Sequence, residues 1–213
     1  MKTLLCLYHW TDIKEAIMDK YKTIAKITEG YFTEQKSKFI SFAIPVQTQE
    51  QVKEIIDNYK KEYYDARHIC WAYVLGAERS LFRANDDGEP SSTAGKPILG
   101  VINSNELTDI LIVVIRYFGG IKLGTSGLIA AYRIAAQESL QDATFLEKTV
   151  DEDISIVFEY PFLNTVMRIV KEDNPQIIVQ NFNMDCEMTV RIRQSEVEKL
   201  KSRLLKVESL RIK

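Results

Sequence analysis

The chain has 213 residues, of which 46% are hydrophobic and 27% are charged, and its formal net charge is −2. These values are typical of a globular protein that buries a substantial core, and they exclude a disordered chain and an overall basic surface for nucleic acid. The three cysteines lack metal-binding spacing, and no apolar run approaches the roughly 18 residues of a membrane span, so we expect a cytoplasmic protein with no membrane partner.

The start of the chain predicts an extension, two strands and a helix. Residues 1–21 are expected to form a loosely ordered N-terminal extension, because Met18 offers a plausible start of its own. The apolar segments that follow predict two strands joined by a turn near Glu29-Gly30. We then expect an amphipathic helix capped by Thr48, with an apolar stripe made of Val52, Ile55, Ile56 and Tyr59.

The middle of the chain predicts buried strands, turns and two helices. The apolar segments HICWAYVLG and DILIVVIRYF predict buried strands, the second of them central, and RSLFRAN predicts a shorter strand. A short helix capped by Thr93 is expected between the strands RSLFRAN and DILIVVIRYF. The alanine-rich segment that begins at Gly124 predicts the longest helix. We assign residues 22–147 to one N-terminal domain.

Residues 150–213 predict a second domain. Their pattern gives the order strand, helix, strand, strand, helix, strand, with a turn at Met184-Asp185 and Ser195 as the cap of the second helix. This order within about 60 residues is typical of a ferredoxin-like domain. The sequence therefore predicts an α+β protein of two domains.

The segment RYFGGIKLGTSGL, residues 116–128, contains four of the nine glycines in the chain. A buried strand that enters a glycine-rich turn and then a helix can hold an anion, because the helix start offers unpaired N–H groups and the positive end of its dipole. The alternative is that the glycines only permit a tight turn and close packing of the helix on the sheet. The candidate anion-binding residues are Arg116, Gly119, Gly120, Lys122, Gly124, Thr125 and Ser126.

The segment NDDGEPSST places three carboxylates within four residues, beside three hydroxyl groups. Such carboxylates can hold a divalent cation, and His68 is a further candidate ligand from the start of a buried strand. The alternative is a turn in which the carboxylates accept backbone N–H groups. The candidate residues of this acidic loop are Asp86, Asp87, Glu89, Ser91, Ser92, Thr93 and His68.

Four segments of the first domain together resemble the YigZ/IMPACT family: KSKFI, DARHICWAYVLG, DDGEPSSTAGKPIL and VVIRYFGGIKLGTSGLIAAY. The resemblance covers nearly everything from about residue 22 onward. It implies a first domain similar to the second domain of small-subunit ribosomal protein five, and a C-terminal domain similar to those of elongation factor G. The family often has G-G-L-V-R-A-Y after KLGT, whereas this chain has Ser126 and Ala130 at the first glycine and the arginine, which removes one positive charge from the helix start.

The resemblance implies a translation-associated regulatory or accessory factor that acts without catalysis, since the eukaryotic relative regulates translation. RNA, the ribosome or a translation factor is the expected partner, and no cofactor is expected. A second hypothesis is a metal-dependent enzyme that acts on a small phosphorylated ligand through the acidic loop and the glycine-rich segment. A third is that both segments only stabilise a pair of loops.

Overall fold

The computed structural model describes residues 19–183 and 185–213. Residues 1–18 of the predicted extension, including Met18, and Met184 of the predicted turn lie outside the described residues. The described chain divides into two compact units, one of residues 21–148 and one of residues 149–213 together with Asp19 and Lys20. It is a two-domain fold of mixed helices and strands, as predicted.

The N-terminal unit is built on a five-stranded antiparallel sheet with the order β2-β3-β6-β4-β5. A smaller sheet pairs β1 with β7. The predicted central strand, β6, lies in the middle of the large sheet, and every residue from Ile110 to Arg116 is buried. The strands are β1 (Lys20–Ile24), β2 (Thr28–Glu34), β3 (Ser37–Pro45), β4 (His68–Leu75), β5 (Leu81–Asn85), β6 (Ile110–Tyr117) and β7 (Phe145–Thr149).

Helices cover both faces of the five-stranded sheet, which explains why its central strands are apolar throughout. Alternate residues of β6 point to opposite cores: Val113 packs in the cluster that includes α1, and Val114 packs in the cluster that includes α2 and α3. Thr48 caps α1 as predicted, by accepting the N–H of Gln51, and α3 is the longest described helix. The helices are α1 (Gln49–Glu62), α2 (Gly95–Ser104) and α3 (Gly124–Gln141).

The predicted turn at Glu29-Gly30 is wrong, because Gly30 lies inside β2, where it pairs with Ser41. A Cβ atom on Gly30 would lie 2.4 Å from the backbone of Glu138 and Ser139, so the glycine permits α3 to approach the sheet closely. The turn itself falls at Gln35 and Lys36, whose φ angles are 44° and 66°. A two-residue hairpin turn with both φ angles positive normally uses glycine or asparagine. Because this turn has glutamine and lysine, the sequence did not predict its position.

The C-terminal unit follows the order strand, helix, strand, strand, helix, strand, and its antiparallel sheet has the order β11-β8-β10-β9. Ser195 is not a helix cap, since it lies in a 3₁₀ turn and its hydroxyl donates to the carboxylate of Asp19 over 2.6 Å. Among the described residues, no helix is both long and apolar enough to span a membrane. The elements are β8 (Asp151–Glu159), α4 (Leu163–Asp173), β9 (Gln176–Phe182), β10 (Asp185–Arg193), α5 (Val197–Leu204) and β11 (Arg211–Ile212).

Candidate functional site

A cleft of about 480 Å³ lies in the N-terminal unit where β4 begins, β6 ends and α3 begins. It brings residues of the glycine-rich segment and of the acidic loop to one place, although 27 positions separate Glu89 from Arg116. We call it the α3 cleft. Its lining consists of Arg67, His68, Glu89, Pro90, Arg116, Phe118, Lys122, Leu123, Gly124, Thr125 and Leu128.

Glu89 is the centre of a buried polar network at the base of the cleft. Its Oε1 atom accepts hydrogen bonds from Arg116 Nη1 at 2.5 Å and from the Tyr132 hydroxyl at 2.8 Å. The side chains of Glu89 and Arg116 are only 4% and 6% exposed. Burial raises the pKa of Tyr132 well above its usual range, so this hydroxyl stays protonated and donates to the carboxylate. The charge of Glu89 is therefore fully compensated within the protein.

The Arg116 guanidinium is held from several sides. It lies over the rings of Phe39 and Phe118, with 5.6 Å between its central carbon and each ring centroid. Its Nη2 atom donates to Ser37 Oγ over 3.4 Å. Its Nε atom is buried without a hydrogen-bond partner among the described residues. Arg116 thus stabilises the base of the cleft, while its Nε–H group has no acceptor there.

The first two carboxylates of the acidic loop accept backbone N–H groups. Asp86 accepts from Ser92, Ala94 and Gly95, and therefore caps α2 from outside the helix. Burial raises the pKa of Asp86, but the N–H groups of Ser92, Gly95 and Ala94 lower it by more, and the net direction is downward. The predicted cap is wrong, because the Thr93 hydroxyl donates to the Pro90 carbonyl over 2.6 Å.

Asp87 joins the acidic loop to the start of β4. Its carboxylate accepts the N–H of Ile69 at 2.7 Å, and its carbonyl lies 2.8 Å from His68 Nδ1. Because a carbonyl only accepts, Nδ1 carries a proton. His68 Nε2 is 3.8 Å from Glu89 Oε1. No three His, Cys, Asp or Glu side chains of residues 19–183 and 185–213 form a group suited to a metal ion.

Cys70 extends the buried network below His68. Its thiol donates to the Asp86 carbonyl at 3.0 Å and lies 3.3 Å from the Tyr132 hydroxyl. Burial raises the pKa of the thiol, since the low-dielectric surroundings disfavour the thiolate. Cys70 is therefore a buried structural thiol rather than a nucleophile.

The glycine-rich loop is packed against the turn between β2 and β3. A Cβ atom on Gly119 would come within 2.0 Å of the Lys36 carbonyl carbon, and the Gly119 N–H donates to Ser37 Oγ over 3.2 Å. Gly120 and Gly124 have φ angles of +87° and +72°, a region that disfavours other residues. Close packing and backbone geometry therefore account for these glycines, and they position the start of α3 beside the cleft.

The N-terminus of α3 is free of side-chain caps and has no acidic residue in its first turn. Its first N–H groups lack intrahelical acceptors, and the positive end of the dipole is not neutralised. Lys122, Gly124 and Thr125 are exposed and line the cleft. The mouth of the cleft is therefore positive, whereas its base is neutral.

The cleft gathers only part of the predicted set. The predicted residues that do not line it are Asp86, Asp87, Ser91, Ser92, Thr93, Gly119, Gly120 and Ser126. The lining residues absent from the predicted set are Arg67, Pro90, Phe118, Leu123 and Leu128. Tyr132 was also missed: it does not line the cleft, but it binds Glu89 at its base. It follows Thr125 by seven residues, which places Thr125 and Tyr132 on one face of α3, and that spacing could have identified it.

Residues 35–140 match the family model described as the Impact N-terminal domain. The chain is also 33% identical over 180 residues to the IMPACT family member YvyE of Bacillus subtilis, an alignment that covers 84% of this chain and 83% of the relative. The chain belongs to the IMPACT family. It is similarly 31% identical over 172 residues to the IMPACT family member YigZ of Escherichia coli, with 80% and 84% of the two chains covered.

Similarity to a solved structure and to a eukaryotic relative extends the IMPACT comparison. A structure described as a hypothetical protein matches with a TM-score of 0.70 and 29% identity, over 91% of this chain and 96% of the other. The Protein IMPACT homolog of Dictyostelium discoideum is 36% identical over 96 residues, which cover 43% of this chain and 27% of the relative. The chain is therefore similar to the bacterial relatives along most of its length, and to the eukaryotic relative along less than half of it.

Proposed function

We propose that this IMPACT family member is a translation-associated accessory or regulatory factor, which acts without catalysis by docking on the ribosome. The α3 cleft binds a phosphate group of RNA in this proposal. Membership of the IMPACT family supports the link to translation, because the resemblance to its eukaryotic relative implies a regulator of translation. The observation that carries the proposal is the positive, uncapped start of α3 at the mouth of the cleft.

The electrostatics of the cleft favour an anionic ligand. The basic side chains of Arg67 and Lys122 are exposed on the lining of the cleft. Neither forms an ion pair in the described part of the chain. The one carboxylate of the lining, Glu89, is already neutralised by Arg116. A phosphate at the α3 N-terminus would therefore meet unpaired N–H groups and two cations without a competing negative charge.

Phe118 adds an aromatic wall to the cleft. Its side chain is 48% exposed and packs against the Arg116 guanidinium. An exposed ring beside a phosphate-binding helix start can stack on a base, as in single-stranded RNA recognition. The cleft therefore suits an exposed nucleotide better than a smooth double helix.

The C-terminal unit is proposed to be a ferredoxin-like module that contacts protein rather than RNA. Its sheet order, β11-β8-β10-β9, supports the ferredoxin-like assignment. The face of this sheet that points away from its helices carries mixed charges: Arg191 pairs with Asp153 at 2.7 Å, and Lys213 pairs with Glu187 at 2.7 Å. Because these two basic groups are already paired with carboxylates, they are not free to bind phosphates.

The metal-dependent enzyme gains no support from the acidic loop. The carboxylates of Asp86 and Asp87 accept backbone N–H groups, and Glu89 is bound to Arg116 and Tyr132. Backbone hydrogen bonds therefore explain Asp86 and Asp87, and the buried ion pair with Arg116 explains Glu89. The loop builds the wall of the cleft.

Sedimentation with purified bacterial ribosomes and isolated subunits at several salt concentrations tests the proposal. We expect salt-sensitive binding of the wild type, and a loss of roughly tenfold or more in affinity for Lys122→Glu, which places a negative charge at the phosphate site. Lys53→Glu is the matched control, since Lys53 is an exposed lysine of α1 outside the cleft. A wild type that stays in the supernatant at low salt, or equal binding of both variants, would overturn the proposal.

A further inference from the structure

A second surface of the N-terminal unit gathers half of the ten tyrosines of the chain. Strand alternation turns Tyr117 away from the α3 cleft, because its neighbour Arg116 faces the cleft. Tyr117 belongs to the layer on the α1 side of the sheet, where β2 contributes a tyrosine opposite Ile40. We call this surface the tyrosine patch, and it consists of Tyr31, Tyr59, Tyr63, Tyr64 and Tyr117.

The tyrosine patch has a rigid base and an exposed rim. Tyr59 stacks on Phe42 and on Tyr63, with ring centroids 4.9 Å and 5.9 Å apart. Tyr31 and Tyr64 are 66% and 84% exposed, among the most exposed large side chains of the described residues. Exposed aromatic rings beside an ordered aromatic base are typical of an interaction surface, because they offer a large apolar area together with a polar hydroxyl.

Carboxylates surround the rings. The Tyr117 hydroxyl donates to Asp65 Oδ1 over 2.9 Å, and the Tyr31 hydroxyl donates to Glu29. The hydrogen bond to Glu29 raises the pKa of Tyr31, and burial raises that of Tyr59 to about 12, with further contributions from Tyr63, Glu62 and Glu29. Glu29, Glu62 and Asp65 therefore share this surface with the tyrosines.

The tyrosine patch is negative. In the described part of the chain, none of Glu29, Glu62 and Asp65 forms an ion pair. Lys38 lies on the same sheet face, opposite Tyr117 in the pairing of β3 with β6. The three carboxylates without an ion pair lie next to the rings, where they repel phosphates and attract cations. The tyrosine patch thus has the opposite electrostatic preference to the α3 cleft.

We propose that the tyrosine patch is a docking surface for an arginine- and lysine-rich segment of a protein. Ring faces attract guanidinium and ammonium groups through their quadrupole, and neighbouring carboxylates accept the N–H groups of the same side chains. Charge complementarity selects this occupant over RNA, which the carboxylates would repel. The inference is independent of the α3 cleft and adds a second partner class to the proposed function.

Fluorescence anisotropy with a labelled nona-arginine peptide, at several salt concentrations, tests this surface. We expect saturable binding that weakens about two- to fivefold for each of Tyr31→Ala and Tyr64→Ala, and about tenfold for the double variant. Glu62→Gln is expected to weaken binding as well. Both tyrosines are largely exposed, so the variants should retain the wild-type circular dichroism spectrum and unfolding midpoint.

Matched controls separate the tyrosine patch from net charge. Tyr160→Ala removes a tyrosine that is 57% exposed in the C-terminal unit, and Glu78→Gln removes an exposed carboxylate elsewhere in the N-terminal unit. Neither should change the affinity. If the controls and the patch variants bind the peptide alike, or if the patch variants lose binding to a single-stranded oligonucleotide instead, the proposal fails. Lys122→Glu should leave peptide binding intact. A failure of the ribosome-docking proposal at the α3 cleft is thereby distinguished from a failure of the peptide-docking proposal at the tyrosine patch.

Discussion

Replacing Arg116 with methionine is expected to destabilise the N-terminal unit by about 3–5 kcal/mol, the usual cost of removing one partner of a buried ion pair. The remaining carboxylate of Glu89 is 4% exposed and would keep only the Tyr132 hydroxyl as a strong donor. Methionine fills the space between Phe39 and Phe118, so the loss is electrostatic rather than a cavity effect. Such a loss is a large part of the 5–15 kcal/mol that stabilises a typical domain.

A double-mutant cycle isolates this ion pair. Glu89→Gln alone leaves the guanidinium unpaired and should cost a similar amount, whereas the Arg116→Met, Glu89→Gln double variant should lose less than the sum, with a coupling of about 2–3 kcal/mol. Urea unfolding followed by circular dichroism measures all four proteins. A loss below about 1 kcal/mol for Arg116→Met, or additive effects in the cycle, would refute the structural role and leave the guanidinium available to a ligand.

Four further substitutions test the surroundings of the cleft. Gly30→Ala should destabilise by about 1–3 kcal/mol because its Cβ would overlap the α3 backbone, whereas Gly100→Ala, with no atom within 4 Å, should stabilise α2 by roughly 0.5–1 kcal/mol in the same thermal unfolding assay. Tyr132→Phe removes one donor to Glu89 and should lower the free energy of unfolding by about 1–3 kcal/mol; an unchanged urea midpoint would contradict the network. Asp86 has a native pKa below its ordinary value of 3.8, so its contribution is complete above that pH and is lost as the pH falls through the native value. Asp86→Asn should therefore be less stable at pH 7 and show a smaller loss of stability on acidification, and equal pH profiles for the two proteins would exclude this contribution.

Most helices and strands could be predicted because their apolar periodicity matches their burial. The central strand β6 is apolar at every position because helices cover both faces of its sheet, and α1 shows both its cap and its apolar stripe in the sequence. The turn between β2 and β3 could not be predicted, since Gln35 and Lys36 adopt positive φ angles that glycine or asparagine usually takes. Gly30 was misplaced because its role depends on α3, which lies more than 90 positions further along the chain.

The candidate site depends on contacts that no local pattern encodes. Thr93 and Ser195 precede helices as caps would, but Asp86 reaches the start of α2 from outside the helix, and Ser195 is bound to Asp19. The pairing of Glu89 with Arg116 arises only when β6 and the acidic loop meet in the fold. The sequence therefore identified the acidic loop and the glycine-rich segment as candidates. Only the structure shows that the charged groups at the base of the cleft neutralise each other, whereas the basic groups at its mouth have no ion-pair partner among the described residues.

Amide hydrogen exchange with and without purified ribosomes tests the central claim, that the α3 cleft is the docking surface. The first four N–H groups of α3, those of residues 123–126, have no intrahelical acceptor and should exchange quickly in the free protein. Because a bound phosphate would accept hydrogen bonds from them, we expect clear protection of residues 122–127 when ribosomes are added. Unchanged exchange at these residues, while the protein sediments with ribosomes, would contradict the claim and place the contact elsewhere.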